Sequence, residues 1–340
     1  IRLNVGNHYR GIELDHRATP LSLVTLYLSV SLHRIGSTYV FAIGLDIGGT
    51  GIKAGLVDTE GNILSRHEVP TPADDTQAVE DAVVELITQL ASNNTVIAAG
   101  VAAAGFIDEN QSTVYYAPNI AWRNEKLKEK LERRTELPII IENDANAAGW
   151  AEYRFGAGKH VTHMTMLTIG TGVGGAIVVN GELFRGGFGA GAELGHLRVE
   201  PNGLECGCGQ RGCIEQYGSG SALLRFIRDE KNDQSITAAQ AKELLEQGDQ
   251  EAFQGLTILG EWLGVACASL AAVLDPQLFV IGGGVSIAGD ALLNPIQRSF
   301  RENLSAAGFH PEPEFRVAEM LNDAGIIGAA DLARKALQAR

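Results

Sequence analysis

From residue 41 onward, short apolar runs alternate with glycine and polar turns, and most runs have strand length. Phe41–Leu45 reads as a strand, followed by the turn Asp46-Ile47-Gly48-Gly49-Thr50-Gly51 and a second strand, Ile52–Val57. After the polar turn Asp58–Asn62 comes a third strand, Ile63–Val69. Then the period changes. Ala78, Val79, Ala82, Val83, Leu86, Ile87 and Leu90 recur at helical spacing and predict a helix over Thr76–Leu90. Val96–Val101 and Pro138–Ile141 read as strands, with the charged amphipathic helix Glu125–Arg134 between them. A helix over Asp144–Phe155 opens at the end of the second.

The opening pattern then returns. Met164–Ile169, the turn Gly170-Thr171-Gly172, the strand Val173–Val179, the hairpin turn Asn180-Gly181 and the strand Glu182–Phe184 repeat strand, glycine turn, strand, turn, strand. Either two hairpins merely look alike, or the chain carries two related half-structures that face each other. A third glycine turn favours the repeat. The apolar helix Ala252–Leu274 stops at Asp275-Pro276, the strand Leu278–Ile281 follows, and Gly282-Gly283-Gly284 ends it. A last helix is predicted over Ile326–Ala336.

With 340 residues the chain is long for one core and suits two domains sharing a cleft. The net charge of −14 disfavours nucleic acid and anionic membranes as partners. It also repels nucleotides at long range, so any phosphate site must rest on local backbone N–H groups and a metal ion. The four cysteines are too few and too clustered for a disulfide framework. Residues 1–40 contain one apolar stretch, Leu21–Leu32. It is too short to span a bilayer, and acidic residues precede it, unlike a signal peptide. This segment is expected to be an extension outside the fold, too short for a DNA-binding helix-turn-helix domain. The expected location is cytoplasmic.

Three strand ends thus carry glycine turns, at Gly48-Gly49-Thr50, at Gly170-Thr171-Gly172 and at Gly283-Gly284. Each can bring N–H groups up to phosphate oxygens with no Cβ in the way. None is a Walker loop, and none is a G-x-G-x-x-G opening a helix, which argues against a P-loop NTPase and a dinucleotide-binding dehydrogenase. Asp46, beside the first turn, either holds Mg²⁺ or caps the turn. Lys53 either meets phosphate or is simply solvated.

Two further groupings carry chemistry. His196, Cys206, Cys208 and Cys213 supply one imidazole and three thiolates at compact spacing, a set that suits a tetrahedral, structural Zn²⁺ with no open position. The alternative is reduced cysteines in a glycine loop. Glu193 and Glu215 flank this knot, either as rigidly held hydrogen-bond acceptors or as members of surface ion pairs. Glu142-Asn143-Asp144 ends a strand and begins a helix. Asp144 is either the helix N-cap or a general base that takes a proton from an attacking hydroxyl.

Asp46–Thr50, Glu142–Asp144, Gly170–Gly175 and Glu193–Glu215 together resemble the ROK family (repressors, open reading frames, kinases). The resemblance runs from about residue 41 to the end, and within the family the chain is most similar to bacterial glucokinases. It implies an α/β fold of the actin-like (ribonuclease H-like) kind, a two-domain ATPase with a central cleft. The small domain would be 41–148, joined by the C-terminal helix at about 326–338. The large domain would be 149–325, with a zinc loop at 196–213. It further implies ATP with Mg²⁺ at Asp46, Gly48, Gly49, Thr50, Gly170, Thr171, Gly172, Gly283 and Gly284. Glucose or a related hexose would meet Asn119, Asn143, Glu193, His196 and Glu215, with Asp144 as base, in a homodimer or homotetramer.

One departure concerns the donor. Many of the family's glucokinases have Lys directly after the Thr of the first loop. Here Gly51 stands there and Lys53 follows two residues on, an arrangement that resembles polyphosphate-using glucokinases. Polyphosphate as donor, and mannose or an N-acetylhexosamine as acceptor, therefore stand beside ATP and glucose. A sugar-responsive repressor is disfavoured by the presence of Asp144 and the phosphate loops. A chaperone-type ATPase has no use for the knot with its flanking carboxylates.

Overall fold

The computed structural model describes residues 40–338. The expected N-terminal extension, residues 1–40, lies outside the described residues apart from Val40. The predicted repeat is present as two five-stranded sheets. In the first, β1 (Phe41–Ile47) pairs antiparallel with β2 (Gly51–Val57), which pairs antiparallel with β3 (Ile63–Pro70). Helix α1 (Thr76–Ala91) buries Val79, Val83, Leu86, Ile87 and Leu90, and Asp75 caps its first amides. Strand β4 (Val96–Ala103) then pairs parallel with β1.

Between β4 and the next strand of this sheet lie three very short strands, β5 (Phe106–Ile107), β6 (Val114–Tyr116) and β7 (Arg123–Glu125), forming a small sheet of their own. Two or three residues cannot show an alternation, so the sequence gives no signal there. Helix α2 (Leu127–Thr135) leads into β8 (Ile139–Asn143), parallel to β4, and into helix α3 (Asp144–Phe155).

The second sheet has β9 (Met164–Ile169), β10 (Val173–Val179), β11 (Glu182–Leu183), β12 (Leu278–Gly282) and β13 (Glu314–Val317). Its order, β11-β10-β9-β12-β13, matches β3-β2-β1-β4-β8 strand for strand, with the same parallel and antiparallel pairings. Four helices complete the connection from β11 to β12: α4 (Glu215–Gly218), α5 (Gly220–Glu230), α6 (Ala238–Glu246) and α7 (Gln250–Leu274). By length and composition α7 could cross a membrane. Here it is a core helix, with Leu256, Leu259 and Leu263 fully buried in the cluster that contains Leu167, Phe279 and Ile281. Its end at Asp275, in the left-handed region with φ 43°, agrees with the predicted stop. Helix α8 (Asp290–Asn303) packs on α7: a Cβ at Gly264 would stand 2.6 Å from the Ile296 carbonyl oxygen.

The last helix, α9 (Ala324–Gln338), returns to the first sheet. Two strand glycines admit it. A Cβ on Gly44 of β1 would lie 1.8 Å from the Ile326 carbonyl oxygen, and one on Gly100 of β4 would lie 1.9 Å from that of Ala329. On its other side Gly328 meets the backbone of Ala147 in α3, and Gly149 of α3 meets Ala176 of β10. Helices α3 and α9 are thereby wedged between the two sheets at backbone-contact distance, a packing that leaves no room for a methyl group. That wedge fixes how the carboxyl ends of the two sheets face each other.

Candidate active site

A cleft of about 780 Å³ opens where these strands end. It is lined by Asp46 near the end of β1, Asn143 and Asp144 after β8, Gly170 and Gly172 after β9, and Gly283 after β12. Asn119, from the loop between β6 and β7, and Glu193, His196 and Glu215 complete the wall. Residues far apart in sequence and predicted to act together do therefore share one cavity.

The strand-to-helix junction settles which residue caps α3. Asn143 is the N-cap: its Oδ1 accepts the Asn146 amide at 3.0 Å, while its Nδ2 donates to the Gly105 carbonyl at 3.1 Å. Asp144 is the next residue, so its carboxylate does not serve as the cap and lines the cleft instead. Burial pushes its carboxyl up from the ordinary range, opposed by the hydrogen bonds of the backbone amides of Ala145 and of Asp144 itself.

Asp46 is raised to about 6, by burial first and by the charge of Asp144 second, with Lys53 pulling the other way. Asp46 and Lys53 are direct cross-strand partners, and both line the cleft. The first turn of α9 closes over Asp46, since a Cβ at Gly325 would come within 2.9 Å of its carboxylate. Glu193 is likewise raised by burial and by the charges of Asp144 and Glu215, with His196 opposing. Three carboxyl groups pushed up in one cleft form a site built to hold a cation or to exchange protons.

The glycine turns divide into two roles. Gly48 donates its N–H to Gly51 at 3.0 Å, and Gly170 donates its own to Gly172 at 3.0 Å, so these two amides close the turns. The amides of Gly49, Thr50, Thr171 and Gly172 have no acceptor among the described residues. Gly48, Gly49 and Thr50 line neither the cleft nor its neighbour; Gly49 instead abuts Asn119, where a Cβ would sit 2.9 Å from that of Asn119. Thr171 and Gly284 line a second, adjoining cavity of about 660 Å³, which shares Gly170 with the first. Its walls are apolar: Leu223, Leu224, Leu245, Phe253, Val285 and Ile287.

Beside the cleft the donor atoms of His196, Cys206, Cys208 and Cys213 all lie within 4.8 Å of one another. Cys206 Sγ is 3.7 Å from His196 Nδ1, and Cys208 Sγ is 3.6 Å from Cys213 Sγ. Ligand lengths of about 2.3 Å to sulfur and about 2.0 Å to nitrogen put the edges of a zinc tetrahedron at ~3.5–3.8 Å. The two measured edges match. Burial, together with the neighbouring thiols, pushes Cys213 up to about 12, a cost that a bound cation removes. The chain can turn this tightly because of Gly212, with φ 77°, whose Cβ would overlap the Glu200 carbonyl oxygen at 1.6 Å. Glu215 reaches from the knot to the second glycine turn, accepting the Val173 amide at 3.2 Å. Glu193 sits in a tight turn closed by the Leu194 amide on the Ala192 carbonyl at 2.7 Å.

Sequence reasoning missed three residues that shape this wall. Arg123 donates to the carbonyls of Ala117 at 3.0 Å, Ile120 at 3.3 Å and Trp122 at 2.6 Å, caging the loop that presents Asn119. Glu142, only 2% exposed, pairs with Arg185 at 2.7 Å. The available signal was a charged residue ending the apolar run Ile139–Ile141, which is costly to bury without a partner.

A ROK family model matches residues 42–336. The chain is 45% identical to a glucokinase of Streptomyces coelicolor, over 86% of this chain and 97% of that protein. Among solved structures it matches a ROK family glucokinase from Streptomyces griseus in complex with glucose and AMPPNP, at 43% identity and a TM-score of 0.77. That match covers 87% of this chain and 99% of the other. An inorganic polyphosphate/ATP-glucomannokinase from Arthrobacter matches at 30% identity and a TM-score of 0.60, over 88% and 99%. The paired five-stranded sheets have the actin-like ATPase fold of these kinases. From the opening strand to the closing helix, this chain belongs to the ROK family.

Proposed function

We propose that this chain is an ATP-dependent glucokinase that moves a phosphoryl group to the 6-hydroxyl of glucose. The observation that carries this reading is the position of Asp144: a half-buried carboxylate, not serving as the helix cap, that shares one cleft with Glu193, His196 and Glu215 and with the turn glycines Gly170, Gly172 and Gly283. Asp144 accepts the proton of the hydroxyl as it attacks phosphorus. Asn119, Asn143, Glu193, His196 and Glu215 hold the sugar's remaining hydroxyls and aim the reacting one. The unpaired amides of Thr171 and Gly172, with the Gly283–Gly284 turn, receive the phosphates; those of Gly49 and Thr50, which line neither cavity here, would reach them as the domains close. Gly48 and Gly170 shape those turns. The apolar cavity beside Gly170 and Thr171 takes the adenine ring.

Asp46 would hold Mg²⁺, which neutralises charge on the transferring phosphates. His196, Cys206, Cys208 and Cys213 would hold a structural Zn²⁺, whose four protein ligands leave it no place in the reaction. With Nδ1 turned to the knot, His196 keeps Nε2 for a sugar hydroxyl. The two sheets would belong to two domains, 41–148 with the returning C-terminal helix and 149–325, which close on substrate and exclude water. A nucleotide substrate and reduced thiolates fit a cytoplasmic homodimer or homotetramer that binds neither nucleic acid nor membrane.

A second reading keeps the enzyme and changes the donor. Lys53 lines the cleft and offers a cation to a polyphosphate chain, but such a donor leaves the apolar cavity without a purpose. Steady-state phosphorylation of glucose, mannose and N-acetylhexosamines, each with ATP and with polyphosphate, decides. Glucose with ATP should give the highest kcat/KM; a higher value for any other pair refutes the assignment.

A further inference from the structure

Two segments must be held in register for this chemistry: the β8–α3 junction that carries Asp144, and the loop after β11 that carries Glu193. They come from different sheets. One buried side chain joins them. Glu142 Oε2 accepts Arg185 Nε at 2.7 Å, Arg185 Nη2 at 2.7 Å and Gln111 Nε2 at 3.0 Å. Its Oε1 accepts the Asn143 amide at 3.1 Å and Asn146 Nδ2 at 3.1 Å. Both oxygens are therefore saturated, and the donors come from the end of β8, from α3, from the β5–β6 connection and from the loop of the other sheet.

Arg185 sits at the root of that loop. The Phe184 amide ends the β10–β11 hairpin on the Ile177 carbonyl at 2.8 Å, and Arg185 is the next residue. Its own carbonyl accepts the Gly191 amide at 2.8 Å, which closes the loop and leaves only Ala192 before Glu193. Ala192 holds φ 68°, a conformation that L residues adopt at a cost and that a loosened loop would relax. The tip of the loop also rests on the first half of the chain at Gly189, where a Cβ would meet the Ile107 carbonyl oxygen at 2.3 Å.

We propose that Arg185 is a positioning residue for sugar phosphorylation: through its ion pair with buried Glu142 it locks the loop that presents Glu193 to the junction that presents Asp144. The inference rests on the glucokinase reading given above. Arg185 does not itself line the cleft, so its effect runs through the placement of Glu193 relative to the base. The nucleotide half of the site, built from the glycine turns and the apolar cavity, has no bond to this pair. The lock should therefore act on the sugar and leave the nucleotide alone.

The test is steady-state kinetics on Arg185→Met, Arg185→Lys and Glu142→Gln in the full chain, with glucose and ATP varied separately and thermal unfolding recorded. Misplacement of a reacting group by about an ångström costs on the order of 100-fold. Arg185→Met should lower kcat/KM for glucose by about that factor, shared between a higher KM and a lower kcat, with the ATP KM within about two-fold. Arg185→Lys should recover most of the loss. Glu142→Gln keeps the volume but sets one donating NH2 against the donors of one carboxylate oxygen, so it loosens the pair from the other end; with Arg185→Lys it reports on the lock where the methionine variant does not fold. Adding Glu142→Gln to Arg185→Met should cost little more than Arg185→Met alone. Glucose kinetics unchanged beside a fall in melting temperature would overturn the proposal, as would glucose and ATP KM values rising together. A wild type inactive on every hexose overturns the glucokinase reading and this inference with it. An active wild type with insensitive variants overturns the inference alone.

Discussion

Replacing Asp46 by Asn should stabilise the protein while abolishing its turnover. Asp46 is half-buried beneath the first turn of α9 and faces the charge of Asp144. Its carboxyl is raised from 3.8 to about 6, burial being the larger cause. That displacement corresponds to ~3 kcal/mol between its two protonation states. The folded chain binds this proton more tightly than the unfolded chain does. The stability so gained is complete below pH 3.8 and is lost as pH rises through about 6. An amide never ionises, so Asp46→Asn escapes the loss. In metal-chelated buffer the variant should exceed the wild type by ~3 kcal/mol near pH 8, and the gap should hold to about pH 7 and then shrink as pH falls through about 6, to roughly half by about pH 5. Urea unfolding across that range measures it, with ΔG taken by linear extrapolation. A gap that does not change with pH, or a variant less stable than wild type near pH 8, refutes the claim that Asp46 is an ionised group held against its environment. Mg²⁺ with a non-hydrolysable nucleotide should raise the melting temperature of the wild type and leave the variant nearly unmoved, since the cation that compensates the charge has lost its ligand.

Three further perturbations separate the parts of the site. Asp144→Asn should lose turnover by about 1,000-fold or more, with glucose affinity by calorimetry largely kept; near wild-type kcat refutes its role as base. Cys208→Ser should lose bound zinc by elemental analysis and with it glucose binding, because the knot carries His196 and flanks Glu193 and Glu215; a zinc-free protein with normal glucose affinity refutes this. Gly172→Ala would put a Cβ 2.3 Å from Glu215 Oε2, at the end of a side chain that can swing away. Glucose KM should therefore rise by about ten-fold with the melting temperature almost unchanged, and an unaltered KM refutes the sugar contact of Glu215.

What could be read from the chain, and what could not, follows from how far apart the interacting groups lie. The His/Cys cluster was legible because its four donors fall within one short segment, from His196 to Cys213, where glycine supplies the turns. The doubled sheet was legible because both hairpins keep strand-length apolar runs around a glycine turn, and the matching strand orders bear the repeat out. Asp144 was found but its local role stayed open, since an aspartate at a helix start reads equally well as a cap. Only the geometry gives that task to Asn143. The short strands β5 to β7 were invisible because three residues show no period.

The Glu142–Arg185 pair marks the deeper limit. Each residue has an unremarkable setting in sequence: a polar end to a strand, and a basic residue beside glycines. The two are 43 positions apart and belong to different sheets, so no local pattern joins them. Burial makes the pairing obligatory, because a carboxylate withdrawn from water keeps its charge only where donors surround it. The positions proposed to bind substrate directly were conspicuous because ligand chemistry constrains them one at a time. Those that hold the binding groups in register are constrained in pairs, across the fold, and emerge only when the two sheets are brought together around α3 and α9.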